Sequence, residues 1–143
     1  MDRDTLFLLG DCTAGIAMTV AAVDGVLPNV KDQVLRRRLQ DGIRAQENLR
    51  EQTCQLLRQW GGTEKQPSAM AKNMTLLRGG TRMALRRDDP TAADVVAGSC
   101  DRQVRELCRS RNRYAGANPE ALFLADRVIA CQEQLSAGLR SFL

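Results

Sequence analysis

Histidine is missing from this 143-residue chain. Without it there is no Ser-His-Asp or Cys-His catalysis, no His-ligated haem, no His-containing zinc site and no di-iron centre of the usual helical type. Aromatic residues are scarce at 3%. The core therefore has to be built from Leu, Val, Ile and Ala, which suits helix packing better than a β-sandwich. No CxxC pair occurs. Cys12, Cys54, Cys100, Cys108 and Cys131 are dispersed and odd in number, and they read as reduced thiols of a cytoplasmic protein. The apolar run at 6–9 is too short for a signal peptide or a membrane span, so no membrane role is expected. Gly61-Gly62 and Gly79-Gly80 lack the surroundings of a phosphate loop. Internal repeats and low-complexity tracts are absent as well.

What is there has the composition of an ordinary globular domain, 43% hydrophobic and 27% charged, with one core across 1–143. The net charge of +4 rests on 21 basic residues, of which only Lys31, Lys65 and Lys72 are lysines. That excess is small for a dedicated nucleic-acid binder. Hydrophobic periodicity predicts helices at about 5–27, 30–60, 68–87, 92–115 and 119–142. The second is the longest. Leu35, Leu39, Gly42, Gln46, Leu49, Thr53, Leu56 and Trp60 alternate in steps of four and three and share one face. Gly61-Gly62 stops it. A helix of this length spans about 46 Å and needs partners of similar length. The first helix carries Leu6, Leu9, Thr13, Ile16, Val20, Val23 and Leu27 on its stripe, with Asp4 as cap. Ser68 caps the third, which Gly79-Gly80 weakens. Thr91 caps the fourth, with Asp94 in the capping-box position and a stripe of Val96, Cys100, Val104, Leu107 and Tyr114. Asn118-Pro119 starts the fifth, whose stripe is Ala121, Ala125, Val128, Gln132, Leu135 and Leu139. The short Pro28-Asn29 link makes the first two helices an antiparallel hairpin. The fourth and fifth form another, and a connection of about thirty residues joins the two.

This layout resembles the ferritin-like superfamily, and within it a bacterial group known mainly as domains of unknown function. The likeness is carried by Leu56-Leu57-Arg58-Gln59-Trp60-Gly61-Gly62-Thr63 at the end of helix two, by the crossover helix after it and by Asp89-Pro90-Thr91 before helix four. It covers nearly the whole chain. It implies an all-α, antiparallel four-helix bundle with a long helical crossover between helices two and four. A di-metal site of that superfamily takes a Glu from each of two helices and a Glu-x-x-His from each of the other two, since residues i and i+3 share a face. Here the corresponding positions read Gln46-Glu47-Asn48-Leu49 and Gln132-Glu133-Gln134-Leu135, with Thr13 on helix one and Cys100 or Gln103 on helix four. By helical phase Glu47, Asp101, Glu106, Asp126 and Glu133 point away from the stripes. Neutral amides are poor ligands for iron or manganese. The resemblance thus implies a degenerate core site at Thr13, Gln46, Gln103 and Gln132, with no metal and no cofactor. The two glutamines either bond one another across the bundle centre or stand at its boundary turned to water.

Copper-storing bundles line their cores with cysteines at CxxxC spacing, which is absent here, so Cys12, Cys100 and Cys131 read as small buried hydrophobes. Arg78, Arg82 and Arg86, at four-residue spacing, mark a possible anion surface on the crossover helix. Arg102, Arg105, Arg109 and Arg113 line a second basic face. Both rows also fit solvated faces with i,i+4 partners such as Glu106. No aromatic residue interleaves with them in the sequence, so base stacking is not expected. The expected function is a non-catalytic bundle whose metal site is lost. It acts by self-association, as a homo-dimer, or by binding a protein partner, with the crossover helix as the interface. The alternative is a metal-binding or oxidoreductase protein with an unusual ligand set. A third possibility is an anion or nucleic-acid binder.

Overall fold

The computed structural model describes residues 2–64 and 86–143. Its long helices are α1 (Arg3–Val26), α2 (Gln33–Gln59), α3 (Asp89–Arg113) and α4 (Pro119–Gly138), with 3-10 turns at Leu27–Asn29 and Arg140–Phe142. These four helices pack together, and no strand occurs among the described residues. The expected crossover helix at 68–87, with Arg78 and Arg82, falls outside the described residues except at its last two positions. There Arg86 is exposed and its Nε lies 3.5 Å from Asp88.

Local chemistry sets each helix end. Asp2, not Asp4, caps α1: its Oδ1 accepts from Thr5 N at 3.2 Å and its Oδ2 from the Thr5 hydroxyl at 2.6 Å. Asp32 accepts from Val34 N at 2.8 Å and Leu35 N at 3.0 Å, so α2 begins three residues later than its apolar pattern suggested. Asp88, not Thr91, caps α3 by accepting from Thr91 N at 2.9 Å. The helix therefore takes Pro90 into its first turn, where a missing N–H costs nothing. In each case an aspartate one turn or less away offers the same oxygen to the same orphan amides, so propensity alone does not choose between them. Asn118 does cap α4, accepting from Glu120 N at 2.9 Å with Pro119 in the first position. At the end of α2 Gly61 adopts φ +76°, and Gly62 N donates to Leu57 O at 2.8 Å.

Contacts at the two ends fix the direction of the helices. Lys31 N and Asp32 N both donate to the Asp89 carboxylate at 2.9 Å, which joins the start of α2 to the start of α3. Asn118 N donates to Thr5 Oγ1 at 2.8 Å, which joins the starts of α4 and α1. Helices α1 and α4 therefore run one way and α2 and α3 the other. Each packs against two antiparallel neighbours, α1 with α2 and α3, α4 with α2 and α3, while α1 also meets α4 across the diagonal. The end of α2 and the start of α3 lie at opposite ends of the bundle, and past Gly62 the chain turns back along α2, where Glu64 pairs with Arg50. Residues 65–85 thus connect the end of α2 to the start of the parallel helix α3.

α1 is the central helix and is apolar nearly all round. Leu8, Leu9, Cys12, Ile16, Val23 and Val26 have no exposed surface, and Gly15 lets α3 come close enough that an added Cβ would stand 3.3 Å from Gln103 Oε1. The apolar stretch is longer than the run at 6–9, because Ala, Gly, Cys and Thr extend it between the larger residues. With a mean hydropathy of 1.8 it is the one helix among the described residues long and apolar enough, by length and composition, to cross a membrane; in this structure 61% of that window is buried inside the bundle.

The caps give a pH signature. The Thr91 hydroxyl and amide, which bond to Asp88, hold its carboxyl below the usual range. A carboxyl depressed in the folded state stabilises above its unfolded value near 3.9 and stops doing so as pH falls through its folded value. Asp88→Ala is expected to lower the urea midpoint at neutral pH, with the gap to the parent closing below about pH 4. Asn118→Ala is expected to cost about 1 kcal/mol at either pH.

Candidate functional site: a buried amide layer

The apolar core comes in two parts. One cluster, built on Val23, Leu35, Leu39, Val96, Cys100 and Leu139, fills the end near the starts of α2 and α3. The other, built on Leu8, Leu9, Ile16, Leu56, Leu107 and Val128, fills the opposite end. Between them lies a polar layer formed by Thr19 of α1, Gln46 of α2 and Gln132 of α4, with exposures of 1%, 0% and 0%. Helical phase puts both amides there. Gln46 lies seven residues from Leu39 and from Thr53, and Gln132 lies between Val128 and Leu135 on the same stripe, so each faces inward as its apolar neighbours do.

The layer is a chain of donors running in one direction. Thr19 Oγ1 donates to Gln132 Oε1 at 2.8 Å, and Gln132 Nε2 donates to Gln46 Oε1 at 3.1 Å. Gln46 Nε2 then donates to Cys131 Sγ at 3.3 Å. The view of these glutamines as boundary residues turned to water does not hold. They meet across the bundle centre, because an unpaired buried amide costs about 1–3 kcal/mol and each supplies what the other needs.

Of the four residues expected at a degenerate core site, only Gln46 and Gln132 come together. Thr13 is buried, but its hydroxyl donates to Gly10 O at 2.8 Å within its own helix. Gln103 is half-buried and lines a groove between α1 and α3. The hydroxyl that does join the amides is Thr19. Sequence reasoning missed it because α1 has no polar face to fix its rotation. Cys131, the far end of the chain of donors, was read only as a core filler. The carboxylates lie outside the core as their phases predicted. Glu47 pairs with Arg50 at 3.1 Å, Asp126 accepts from Arg111 at 2.8 Å, Asp101 accepts from Ser136 Oγ at 2.8 Å, and Glu106 pairs with Arg109. Among the described residues no group of three or more Cys, Asp or Glu side chains gathers as a metal site would require.

The buried and half-buried thiols are subdued as well. Burial pushes Cys12 and Cys100 up to about 12. Burial also raises Cys131, against the opposing pull of the Gln46 hydrogen bond and the Arg127 charge, and raises Cys54 beside Glu64. A thiol held in its neutral form is a poor nucleophile and a poor metal ligand. Amides and an aliphatic hydroxyl do not ionise near neutral pH either. What this layer does chemically is pair with itself.

Above the layer, on the α2–α4 face, two depressions of about 340 and 230 Å³ share Ala45, Cys131 and Gln134 and so form one furrow. Arg127 and Arg38 stand at its two ends, each over an aromatic ring, Phe123 at 5.9 Å and Phe142 at 5.3 Å. Small residues set its depth: an added Cβ at Gly42 would stand 2.8 Å from Leu135 Cδ1. No family model matches the chain, and no curated protein and no solved structure matches it either.

Removing one amide should be worse than removing the whole layer. Gln46→Ala or Gln132→Ala strands the other amide and is expected to cost about 1–3 kcal/mol beyond the lost packing. The combined variant Thr19→Val, Gln46→Met, Gln132→Met is expected to match or exceed the parent in urea unfolding. The thiols predict a loss of stability at high pH. Cys12 and Cys100 stay protonated in the fold but ionise when unfolded above about pH 8.5, so each should remove about 1.4 kcal/mol per pH unit from there up to its folded value. Replacing both by Ala should flatten that slope in denaturant titrations at pH 8 to 10.5.

Proposed function

We propose that this chain is a non-catalytic member of the ferritin-like bundles, with an amide layer in place of a metal centre, and that it works by association with a second copy or with another protein. The observation that carries this reading is the Gln46–Gln132 pair. In bundles of this connectivity a metal is held by carboxylates and histidines projecting into the core. Here the inward positions are neutral, fully buried and occupied with one another. The two antiparallel hairpins, with α2 and α3 running parallel, support the ferritin-like assignment. The α2–α4 furrow supports association. Ala45, Ala130 and Gln134 are exposed on its walls, and Phe123, under Arg127 at one end, keeps 62% of its surface in water. A helix of a second copy can approach small residues closely, and isologous contact through such a face closes as a dimer.

Two measurements test this. Purified protein soaked with Fe(II), Mn(II), Zn(II) or Cu(I) and passed over a desalting column is expected to retain well under one equivalent of each by plasma mass spectrometry. Stoichiometric iron or manganese would overturn the lost-site reading. Light scattering on a sizing column is expected to give a dimer that Ala45→Arg or Ala130→Arg converts to a monomer. A monomer at high concentration would sink self-association and leave a different protein as the partner.

A further inference from the structure

A second surface, on the opposite side of the bundle from that furrow, carries chemistry of its own. Arg102, Arg105, Arg109 and Arg113 follow one another in steps of three and four along the solvent side of α3, and all four are exposed. The row covers about 16 Å. Among the described residues only Arg109 of the four forms an ion pair, with Glu106, and those side chains are 60% and 62% exposed. A pair so exposed is weak and gives way readily to another anion. The row ends in an aromatic step. Arg113 lies over the Tyr114 ring at 6.0 Å, Tyr114 meets Phe7 of α1 with centroids 5.6 Å apart, and Arg3 lies over Phe7 at 5.9 Å. Phe7 keeps 48% of its surface exposed, apolar area that a stacking ligand would take out of water. Beside the row runs a groove of about 230 Å³ between α1 and α3, floored by Gly15, Met18 and Leu107. Its other carboxylate, Asp11, is engaged by Ser110 Oγ at 2.8 Å.

We propose that this face binds single-stranded nucleic acid, with the arginine row following the phosphates and the Phe7–Tyr114 step stacking on bases. Charge along a track together with aromatic platforms is the combination that holds single strands without sequence preference. The objection raised by the sequence was that no aromatic residue interleaves with these arginines. The fold removes it, because Phe7 arrives from the far end of the chain. An acidic protein helix would engage the arginines but would leave the exposed Phe7 ring without a stacking partner, and an anionic membrane, which takes up both arginines and rings, is separated from a single strand by the vesicle arm of the test.

The test is fluorescence anisotropy of a labelled oligothymidylate of about 12 nucleotides with the full chain. Binding at low salt is expected, with a slope of log K on log salt of about −3, as for four phosphates neutralised on a single strand. Arg105→Glu with Arg113→Glu is expected to weaken binding at least about tenfold and to flatten that slope. Phe7→Ala is expected to weaken it about tenfold while leaving retention on heparin unchanged, and Phe7→Trp to restore it. Phe7→Leu, which keeps an apolar contact with Tyr114 but has no ring, should behave as Phe7→Ala does, separating stacking from folding. Reversing Arg37 and Arg44 on α2 is the control and should change affinity by less than about twofold, as charge away from the track adds little. The proposal is overturned by absence of binding at low salt, by equal loss in the α2 control, by oligothymidylate affinity that ignores the ring at position 7, or by capture of anionic vesicles or of a polyglutamate peptide without oligothymidylate binding.

Discussion

Two amides facing one another across the middle of an apolar bundle decide which arrangement of its helices is allowed. Leucines and valines above and below the layer pack almost as well if a helix slides by one turn, since hydrophobic attraction has no direction. Gln46 and Gln132 do not tolerate the slide. Shifted by a turn, the two would lose one another, and an unpaired buried amide costs about 1–3 kcal/mol. A single polar position in a helical core is known to set register and partner choice in this way. Here three helices are tied at one height, and Thr19 adds the rotation of α1, which its own uniform surface leaves open.

The rest of the structure is consistent with that keystone. α1 can be apolar on every side because it touches all three other helices. The end contacts repeat the logic of the layer at lower stakes. Asp89 receives two backbone amides from the turn before α2, and Thr5 receives one from the turn before α4. Each uses a residue that already begins or caps a helix, so the element that starts one helix also positions its neighbour. Small residues complete the fit at Gly15 and Gly42, where helices approach too closely for a larger side chain to enter without displacing a leucine or Gln103.

Much of this was legible in the sequence, because the repeat of the apolar positions follows the geometry of the helix itself. The four long helices, the closing glycine after α2 and the Asn118 cap all followed from that repeat and from short-range capping chemistry. The starts of α1, α2 and α3 did not, since several oxygens lay within reach of the same amides and tertiary contacts made the choice. Phase placed Gln46 and Gln132 on the apolar stripes but left open whether they met inside or turned to water, because position on a stripe does not fix how deeply a helix is buried. Their partner was not legible, because the choice of Thr19 over Thr13 depends on the rotation and height of a helix that carries no polar face. The meeting of Phe7 with Tyr114 was hidden for a different reason: periodicity along one helix says nothing about which residue of another helix lies beside it.

The layer also has a temporal meaning. Its hydrogen bonds join residues 113 and 86 positions apart in the chain, between one hairpin and the other. Each hairpin can form from contacts near in sequence, and contacts of that kind form early and fast. The bonds between Thr19, Gln132 and Gln46 close only when the hairpins have docked and water has left the seam. Interactions made after the barrier to folding act on the rate of leaving the native state and hardly on the rate of reaching it. An amide stranded at the centre by loss of its partner therefore bears on how long the native bundle lasts more than on how readily the hairpins meet.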